Sequence, residues 1–453
     1  MSAELALLVR EGSPILGKCY PVATGPEGLS REETMKTKAC ILTALAIFCA
    51  AAMAAQVSSQ VESRGNLPHY TVVDLGTFGT AFALGQGIND RGWVDGIFGN
   101  QNQHEFVLRN GVVSDLGTLG GPNSGVGSFG QSPNERGQIV GAAENSAIDP
   151  LAEGFCHFLT GSAATNNVCL PFIWQNDVIT ALPTLGGTNG GASQINNRGQ
   201  IVGTAETPDL DTSCGVSHLL FEPVLWEQGV PHQLPTIGGD VDGGVDAIND
   251  LGQAVGATGT CTTAFHAVLW EKGLAKDLGN LGGTFNFEGT SINNNSQVVG
   301  FSDIAGDATF HAFLWQDGVI ADLGTLSGDF LSFASAINNG GQIVGTSCAD
   351  SMCASSRGFV WQNGAMLDLN TLISGSNLVL ANATGINDRG EIVGFTADFH
   401  AFLATPCDDR DVDGEGCQGR GEVIAAGQPA RATLPESLRQ RLLRRWRFGS
   451  AIH

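Results

Sequence analysis

Residues 337–345 read Ile-Asn-Asn-Gly-Gly-Gln-Ile-Val-Gly, and this stretch or a close relative of it recurs seven times along the chain. Asn and Gly tolerate the positive φ angles of tight turns, and the apolar residues on both sides are typical of strands, so each copy predicts a β-hairpin. Successive copies are 45, 62, 53, 44, 45 and 49 residues apart. We expect a structural role in the repeat for the Asn of each copy, namely Asn89, Asn134, Asn196, Asn249, Asn293, Asn338 and Asn387.

The repeat at residues 329–374 shows what one unit contains. Segments 332–337 and 342–347 flank the hairpin turn quoted above, and segments 358–361 and 365–369 flank a second turn, Gln-Asn-Gly. Asn-Gly between apolar segments is a strong hairpin signal. One unit is therefore a four-stranded antiparallel meander of about 45 residues, which is the strand count and length expected of a propeller blade.

The two ends of the repeat region are complementary. A lone fourth strand at 69–76 precedes the first complete unit, whereas the last unit ends after three strands within 385–403. Many propellers are closed by an N-terminal strand that completes the last blade. We therefore predict an all-β fold, a seven-bladed β-propeller of four-stranded antiparallel blades that covers residues 69–407 and is closed in this way. The alternative is an open solenoid, which would require capping repeats at its ends.

Composition excludes several other classes of protein. The chain has 453 residues, of which 63 are Gly and 42% are apolar, and its net charge is -23. So much Gly disfavours helix bundles and coiled coils, and so many apolar residues disfavour disorder. The acidity lies in residues 65–407, where 32 Asp and Glu accompany 8 Lys and Arg. Since this charge repels phosphate backbones, we expect no nucleic-acid partner.

The N-terminal region has the pattern of a targeting segment. Residues 35–54 contain a basic start, an apolar run and a small-x-small cleavage site, which together predict a secretory signal peptide. Residues 1–34 would then be an upstream segment from a mis-assigned start codon, and residues 55–68 a linker. A retained anchor is the alternative, although the apolar run is shorter than the roughly 20 residues that span a bilayer. We expect a secreted protein, extracellular or periplasmic.

The cysteines agree with export. Eight of the eleven Cys follow the predicted cleavage site, an even number, as expected of a chain that forms disulfides in an oxidising compartment. Zinc binding is the alternative, but no Cys-x2-Cys spacing with a nearby His-x3-His is present. Proximity favours pairing of Cys156 with Cys169, Cys348 with Cys353 and Cys407 with Cys417, which leaves Cys214 for Cys261.

A third repeated element carries a resemblance to a known family. His-Ala-Phe stands at 311–313 and 400–402, and His-Ala-Val at 266–268, each near Asp-Leu-Gly or Ile-Asn-x-x-Gly elements. These motifs resemble the HAF-repeat family of probable extracellular bacterial proteins, over about residues 69–407. The resemblance implies secretion and a repeat architecture, and it implies no reaction and no catalytic residues.

The repeated His could bind a metal or act in catalysis, but a structural role is favoured. One residue per blade at the same place points to a hydrogen bond inside the blade, and sites related by a ring lie too far apart to share one metal unless they line the central channel. Superposition of the seven units puts His in four of them, at His104, His266, His311 and His400.

Departures from the repeat are better places to expect function, because loops on a rigid scaffold usually carry it. Insertions at 145–170 and 206–222 both lie between a second and a third strand, so we expect them on one face of the ring, as a binding edge or as simple loop drift. Asp409, Asp411 and Asp413 resemble a calcium loop, although position 420 is Arg where an EF-hand has Glu, and a solvated acidic linker is the alternative. No other cofactor is expected.

Residues 408–453 form a linker and a basic tail. Leu434, Leu438, Leu442 and Trp446 recur every four residues beside several Arg, which predicts an amphipathic segment for an anionic surface, either a lipid leaflet or the acidic propeller itself. A frayed tail is the alternative.

The sequence contains no phosphate-cradling loop, His-Glu-x-x-His motif or nucleophile elbow, so it identifies no catalytic residue. We expect a monomeric binding or interaction module for an unknown protein or glycan. Two alternatives stay open. One is an enzyme acting on extracellular polysaccharide, with its site in the propeller channel or on the face with the long loops. The other is a structural cell-surface protein.

Overall fold

The computed structural model describes residues 67–126, 132–211, 218–260, 263–284, 287–373, 376–407 and 432–433. Several sequence predictions lie outside these residues. They are the signal peptide with the segments before and after it, the calcium loop at Asp409, Asp411 and Asp413, the amphipathic tail beyond residue 433, and the cysteines Cys214, Cys261 and Cys417.

The described strands form seven antiparallel sheets, each with a path of four strands, and in six of them this path follows the chain. Blade 1 contains β2 (Phe82–Ile88), β3 (Val94–Gly99), β4 (Gln103–Arg109) and β5 (Val112–Asp115). Blade 2 contains β6 (Gly120–Gly125), β7 (Ile139–Ile148), β8 (Asn167–Gln175) and β9 (Val178–Ala181). Blade 3 contains β10 (Gly190–Ile195), β11 (Ile201–Asp211), β12 (His218–Glu227) and β13 (Val230–Gln233).

The remaining blades repeat this pattern. Blade 4 contains β14 (Asp242–Ile248), β15 (Ala254–Thr260), β16 (Thr263–Glu271) and β17 (Leu274–Asp277). Blade 5 contains β18 (Glu288–Ile292), β19 (Val298–Asp303), β20 (Phe310–Gln316) and β21 (Val319–Gly324). Blade 6 contains β22 (Leu331–Ile337), β23 (Ile343–Cys348), β24 (Ser355–Gln362) and β25 (Ala365–Asp368), and β29 (Ala432–Thr433) pairs with β24.

The seventh blade closes the ring as predicted. It contains β26 (Leu380–Ile386), β27 (Ile392–Thr396) and β28 (Ala401–Pro406), and its fourth strand is β1 (Tyr70–Gly76), from the other end of the propeller. β1 runs antiparallel to β28, with Tyr70 opposite Pro406. The seven-bladed, four-stranded propeller and its closure by the N-terminal strand are therefore confirmed, and the open solenoid is excluded.

Antiparallel alternation gives the ring two distinct faces. The turns that join first to second strands and third to fourth strands lie on one face, which we call the turn face. The connections between second and third strands, and those between blades, lie on the other, which we call the loop face. A short helix, α1 (Phe155–Thr160), lies in one loop-face connection, and a 3-10 turn (Leu369–Thr371) lies in another.

Apolar packing between neighbouring blades supplies the core. In one cluster the fully buried Trp226 of blade 3 packs with Val140 of blade 2 and with Ile195. Gly345, the last residue of the stretch quoted first, shows why the repeat needs a residue without a side chain. A Cβ there would lie 2.1 Å from the carbonyl oxygen of Phe333 and 2.7 Å from the ring of Phe359. The second strand must lie this close for the Phe of the third strand to pack over it.

No helix in the described parts of the chain is long and apolar enough to cross a membrane.

Candidate functional site

The Asn of each repeat belongs to a hydrogen-bonded ring on the turn face. The side-chain amide Nδ2 of Asn249 donates to the backbone oxygen of Asn293 in the next blade at 3.0 Å. All seven blades make this bond at 3.0 Å, and the bond from Asn387 to the backbone oxygen of Asn89 closes the circle. Each Asn Oδ1 also accepts backbone N–H groups of its own turn, such as that of Gln253 at 2.9 Å. The ring therefore ties every turn to the next blade.

The residue after each Asn forms a second closed circle. The backbone N–H of Asp388 donates to the carboxylate of Asp90 at 2.8 Å, and six equivalent bonds, 2.7 to 2.9 Å long, complete it. The cavity between these residues on the propeller axis has a volume of about 170 Å³. It is smaller than the roughly 300 Å³ at which ligand pockets begin, and its polar groups are engaged by neighbouring blades, so we assign the axial site a structural role.

The repeated His residues have carboxylate partners inside their own blades. The shortest distances from Nδ1 to a carboxylate oxygen are 2.8 Å for His104 and Asp115, 2.7 Å for His266 and Asp240, 3.0 Å for His311 and Asp322, and 3.0 Å for His400 and Asp74. The hydrogen bond with Asp115 raises the pKa of His104. Within the described residues no group of three or more His, Cys, Asp or Glu could hold a metal ion.

The structure forms two of the predicted disulfides, Cys156–Cys169 and Cys348–Cys353. Cys407 is also disulfide-bonded, and its partner lies outside the described residues.

The two insertions, 145–170 of blade 2 and 206–222 of blade 3, lie on the loop face, and we call their described residues the insert platform. The Cys156–Cys169 bond joins α1 to β8, with both sulfur-bearing residues buried. The ring of Phe221, from the second insertion, lies 6.5 Å from that of Phe155 and 6.2 Å from that of Phe158, both in α1. Aromatic packing therefore holds the two insertions against each other.

A polar network joins the same two insertions. The buried amide Nδ2 of Asn189 donates to the carboxylates of Glu153 at 2.9 Å, Glu206 at 3.1 Å and Asp149 at 3.3 Å. Glu153 in turn accepts the backbone N–H of Leu219 at 2.8 Å. One amide, at the residue before the first strand of blade 3, thus fixes acidic side chains of both insertions.

Two carboxyl groups of the platform favour the protonated form. Burial, and then the adjacent Glu153, raise the pKa of Glu206 above its ordinary range. Burial, and then the charge of Asp242, raise the pKa of Glu222 to about 7. Neither insertion contains Lys or Arg, and Nε2 of His218 lies 3.3 Å from the carboxylate of Asp211.

The outer surface of the platform combines apolar and acidic side chains. Ile148 is 68% exposed and Leu210 is 59% exposed. The exposed carboxylate of Asp209 adjoins Leu210 in the sequence. The insertions contain six Asp or Glu in all. Exposed apolar side chains beside an exposed carboxylate, on a frame stiffened by a disulfide, are suited to binding.

Sequence reasoning found the insertions and missed the residues that hold them together. Asn189 escaped notice because it lies outside the repeated signatures, and Glu206 was recognised only as the first residue of an insertion. The sequence does contain a local pattern that marks Asn189, because Gly-Gly-x-Asn occurs at both 120–123 and 186–189. In blade 2 the equivalent Asn123 Nδ2 donates to the buried Glu144 at 3.0 Å.

Comparison with solved structures gives likenesses at low identity. The β-propeller domain of the Trilobed protease from Pyrococcus furiosus aligns with 72% of this chain and 95% of its own, at 8% identity and a TM-score of 0.41. A virginiamycin B lyase from Staphylococcus aureus aligns with 74% of this chain and 99% of its own, at 10% identity and a TM-score of 0.41. A gluconolactonase from Xanthomonas campestris aligns with 75% of this chain and 95% of its own, at 10% identity and a TM-score of 0.34. No family model and no curated protein matches the sequence. At these identities the likenesses concern the fold alone.

Proposed function

We propose that this protein is an exported binding module whose ligand surface is the insert platform, and that its partner is a basic protein or peptide. The observation that carries the proposal is the packing of two insertions from different blades into one body, with the apolar side chains of Ile148 and Leu210 exposed and the exposed carboxylate of Asp209 next to Leu210. A rigid, pre-formed surface loses little conformational entropy on binding.

The charge of the insert platform and the evidence for export both support the proposal. Asp209 is exposed on the platform and neither insertion contains Lys or Arg, so in a chain of net charge -23 this surface attracts cationic partners and repels acidic polymers. The two disulfides and the resemblance to HAF-repeat proteins support export, since disulfides persist in oxidising compartments. An enzymatic role has less support, because the polar groups on the axis are engaged between blades.

Biolayer interferometry with the full exported chain would test the proposal, with a synthetic Lys- and Leu-rich amphipathic peptide as the probe. Asp209→Asn combined with Leu210→Ser should weaken binding about tenfold or more, because it removes one carboxylate and one apolar contact that the partner would bury. The matched control is Asp317→Asn with Val319→Ser, which likewise removes one carboxylate and one exposed aliphatic side chain, at a turn of blade 5 on the other face.

Equal affinity in the two double variants would contradict the platform as the binding surface. Incubation of the protein with neutral and acidic polysaccharides checks the enzymatic alternative. Release of new reducing ends or of unsaturated products would overturn a purely binding role.

A further inference from the structure

The turn face has a groove between blades 2 and 3, away from the insert platform. Its volume is about 790 Å³, within the roughly 300 to 1,000 Å³ typical of small-molecule sites. Arg136 from a turn of blade 2 and Arg198 from the equivalent turn of blade 3 line it, together with an apolar floor that includes Ile173, Leu182 and Ile201.

These two arginines differ from the other cations of the propeller. Residues 69–407 contain eight Lys and Arg. Six of them have an ion pair or an aromatic partner, as in Arg109 with Asp177, Arg357 with Asp329 and Asp368, Arg389 with Glu391, Lys272 with Glu271, Arg91 with Glu135, and Lys276 over Trp315. Among the described residues, Arg136 and Arg198 have no ion pair, and both are exposed. In a chain of net charge -23, the two unpaired cations therefore line the same groove.

The surroundings of the two guanidinium groups keep them available. Nη2 of Arg198 donates to the side-chain oxygen of Gln200 at 2.8 Å. The N–H groups on Nε and Nη1 of Arg198 do not take part in this hydrogen bond. Gly199 leaves room for Arg136, because a Cβ at Gly199 would lie 2.4 Å from the Nη2 atom of Arg136. Gly252, in the equivalent turn of blade 4, leaves the same room for Nη2 of Arg198, so each arginine lies against the turn of the next blade. Glu227, the acidic residue of the lining, accepts a 2.6 Å hydrogen bond from Gln200 and makes no ion pair with either arginine.

The chemistry of the groove defines a class of ligand. Guanidinium groups bind carboxylates through paired, charge-assisted hydrogen bonds, and the aliphatic floor favours an apolar body next to that carboxylate. We propose that the groove between blades 2 and 3 is a binding site for a small organic carboxylate with an apolar body, bound by Arg136 and Arg198. This site does not depend on the insert platform or on its partner.

Isothermal titration calorimetry with the full exported chain tests this site, with 4-phenylbutyrate as the probe. Butyrate lacks the apolar ring, 4-phenylbutanol lacks the charge, and inorganic phosphate supplies an anion without an apolar body. We expect 4-phenylbutyrate to bind at least tenfold more tightly than each of the other three. Equal binding of phosphate and 4-phenylbutyrate, or no heat with 4-phenylbutyrate at millimolar concentration, would overturn the proposal.

Variants show whether the two arginines are responsible. Arg136→Gln and Arg198→Gln should each weaken 4-phenylbutyrate binding about tenfold, the loss expected for one charge-assisted contact. The matched control is Arg91→Gln, since Arg91 occupies the equivalent turn of blade 1 and lies outside the groove. All three side chains are exposed, so circular dichroism should show the same fold in each variant. If the control lost as much affinity as the two groove variants, the groove would be excluded as the site.

Discussion

Replacement of Asn249 by Ala tests the hydrogen-bonded ring on the turn face. The side chain is 4% exposed. It makes four hydrogen bonds: Nδ2 donates to the Asn293 backbone oxygen at 3.0 Å and to Gln253 Oε1 at 2.7 Å, and Oδ1 accepts the N–H groups of Leu251 at 3.0 Å and Gln253 at 2.9 Å. At about 1 kcal/mol for each bond, Asn249→Ala should lower the free energy of unfolding by about 4 kcal/mol.

Asn249→Asp separates the bond between blades from the bonds within the turn. It keeps the acceptor for the two backbone N–H groups and removes the donor to Asn293 and Gln253. We expect a loss of about 2 kcal/mol or more, because two bonds disappear and a carboxylate oxygen then faces the carbonyl of Asn293. Asn102→Ala, in an exposed turn of blade 1, is the control and should stay within about 0.5 kcal/mol of the wild type.

Thermal melting and urea denaturation measure these changes. If the propeller unfolds as one unit, a loss of about 4 kcal/mol should lower its melting temperature by about 6 °C. This shift is the loss in free energy divided by the unfolding entropy of the propeller, which is roughly 2.1 cal/mol/K per residue. The ring would be refuted as a stabilising element if Asn249→Ala matched Asn102→Ala. A melting temperature unchanged by Asn249→Asp, with Asn249→Ala destabilising, would confine the stabilisation to the turn itself.

Four further predictions concern closure, disulfide, buried charge and pH. Deletion of residues 69–76 should lower the melting transition of the whole ring, and an unchanged transition in calorimetry would contradict closure by β1. Changing Cys156 and Cys169 together to Ser should cost up to about 3 kcal/mol for the short loop they close, and limited proteolysis should then cut at α1. Arg357→Ala should cost about 3 to 5 kcal/mol in urea denaturation, because it leaves two buried carboxylates without their cation. Burial, with a second buried carboxyl group nearby, raises the pKa of Glu105. The folded state therefore keeps a proton that the unfolded chain releases, so stability should fall as pH rises from about 5 to about 8. Glu105→Gln should flatten this dependence in melts across that range, and an unchanged slope would argue against a protonated Glu105.

The sequence was most informative where the relevant contacts are local. Turn residues, apolar alternation and the 45-residue period predicted the hairpins and the blades, because each depends on neighbours within about ten positions. The complementary ends predicted the ring, because the extra strand at the start of the repeats can serve as the missing fourth strand of the last blade. Cys156 and Cys169 were predicted to pair because only 13 residues separate them.

The site residues were harder to predict because their partners lie in other blades. The repeated Asn was recognised as structural, but its bond to the next blade depends on how the turns converge on the axis. Asn189 and Glu153 are 36 positions apart, and they meet because the insertion of blade 2 folds across the first strand of blade 3.

The groove on the turn face shows most clearly the difference between what local sequence predicts and what depends on contacts between blades. Arg136 and Arg198 are 62 residues apart and belong to the same repeated turn in successive blades. The sequence alone determined that each lies in a turn, that seven such turns form a ring, and that the ring is acidic. Only the tertiary structure decided which turns leave a cavity between them and which cations lack a carboxylate partner. The physical reason is that the spacing between adjacent blades and the reach of each side chain across it depend on packing between blades, which no short stretch of sequence specifies.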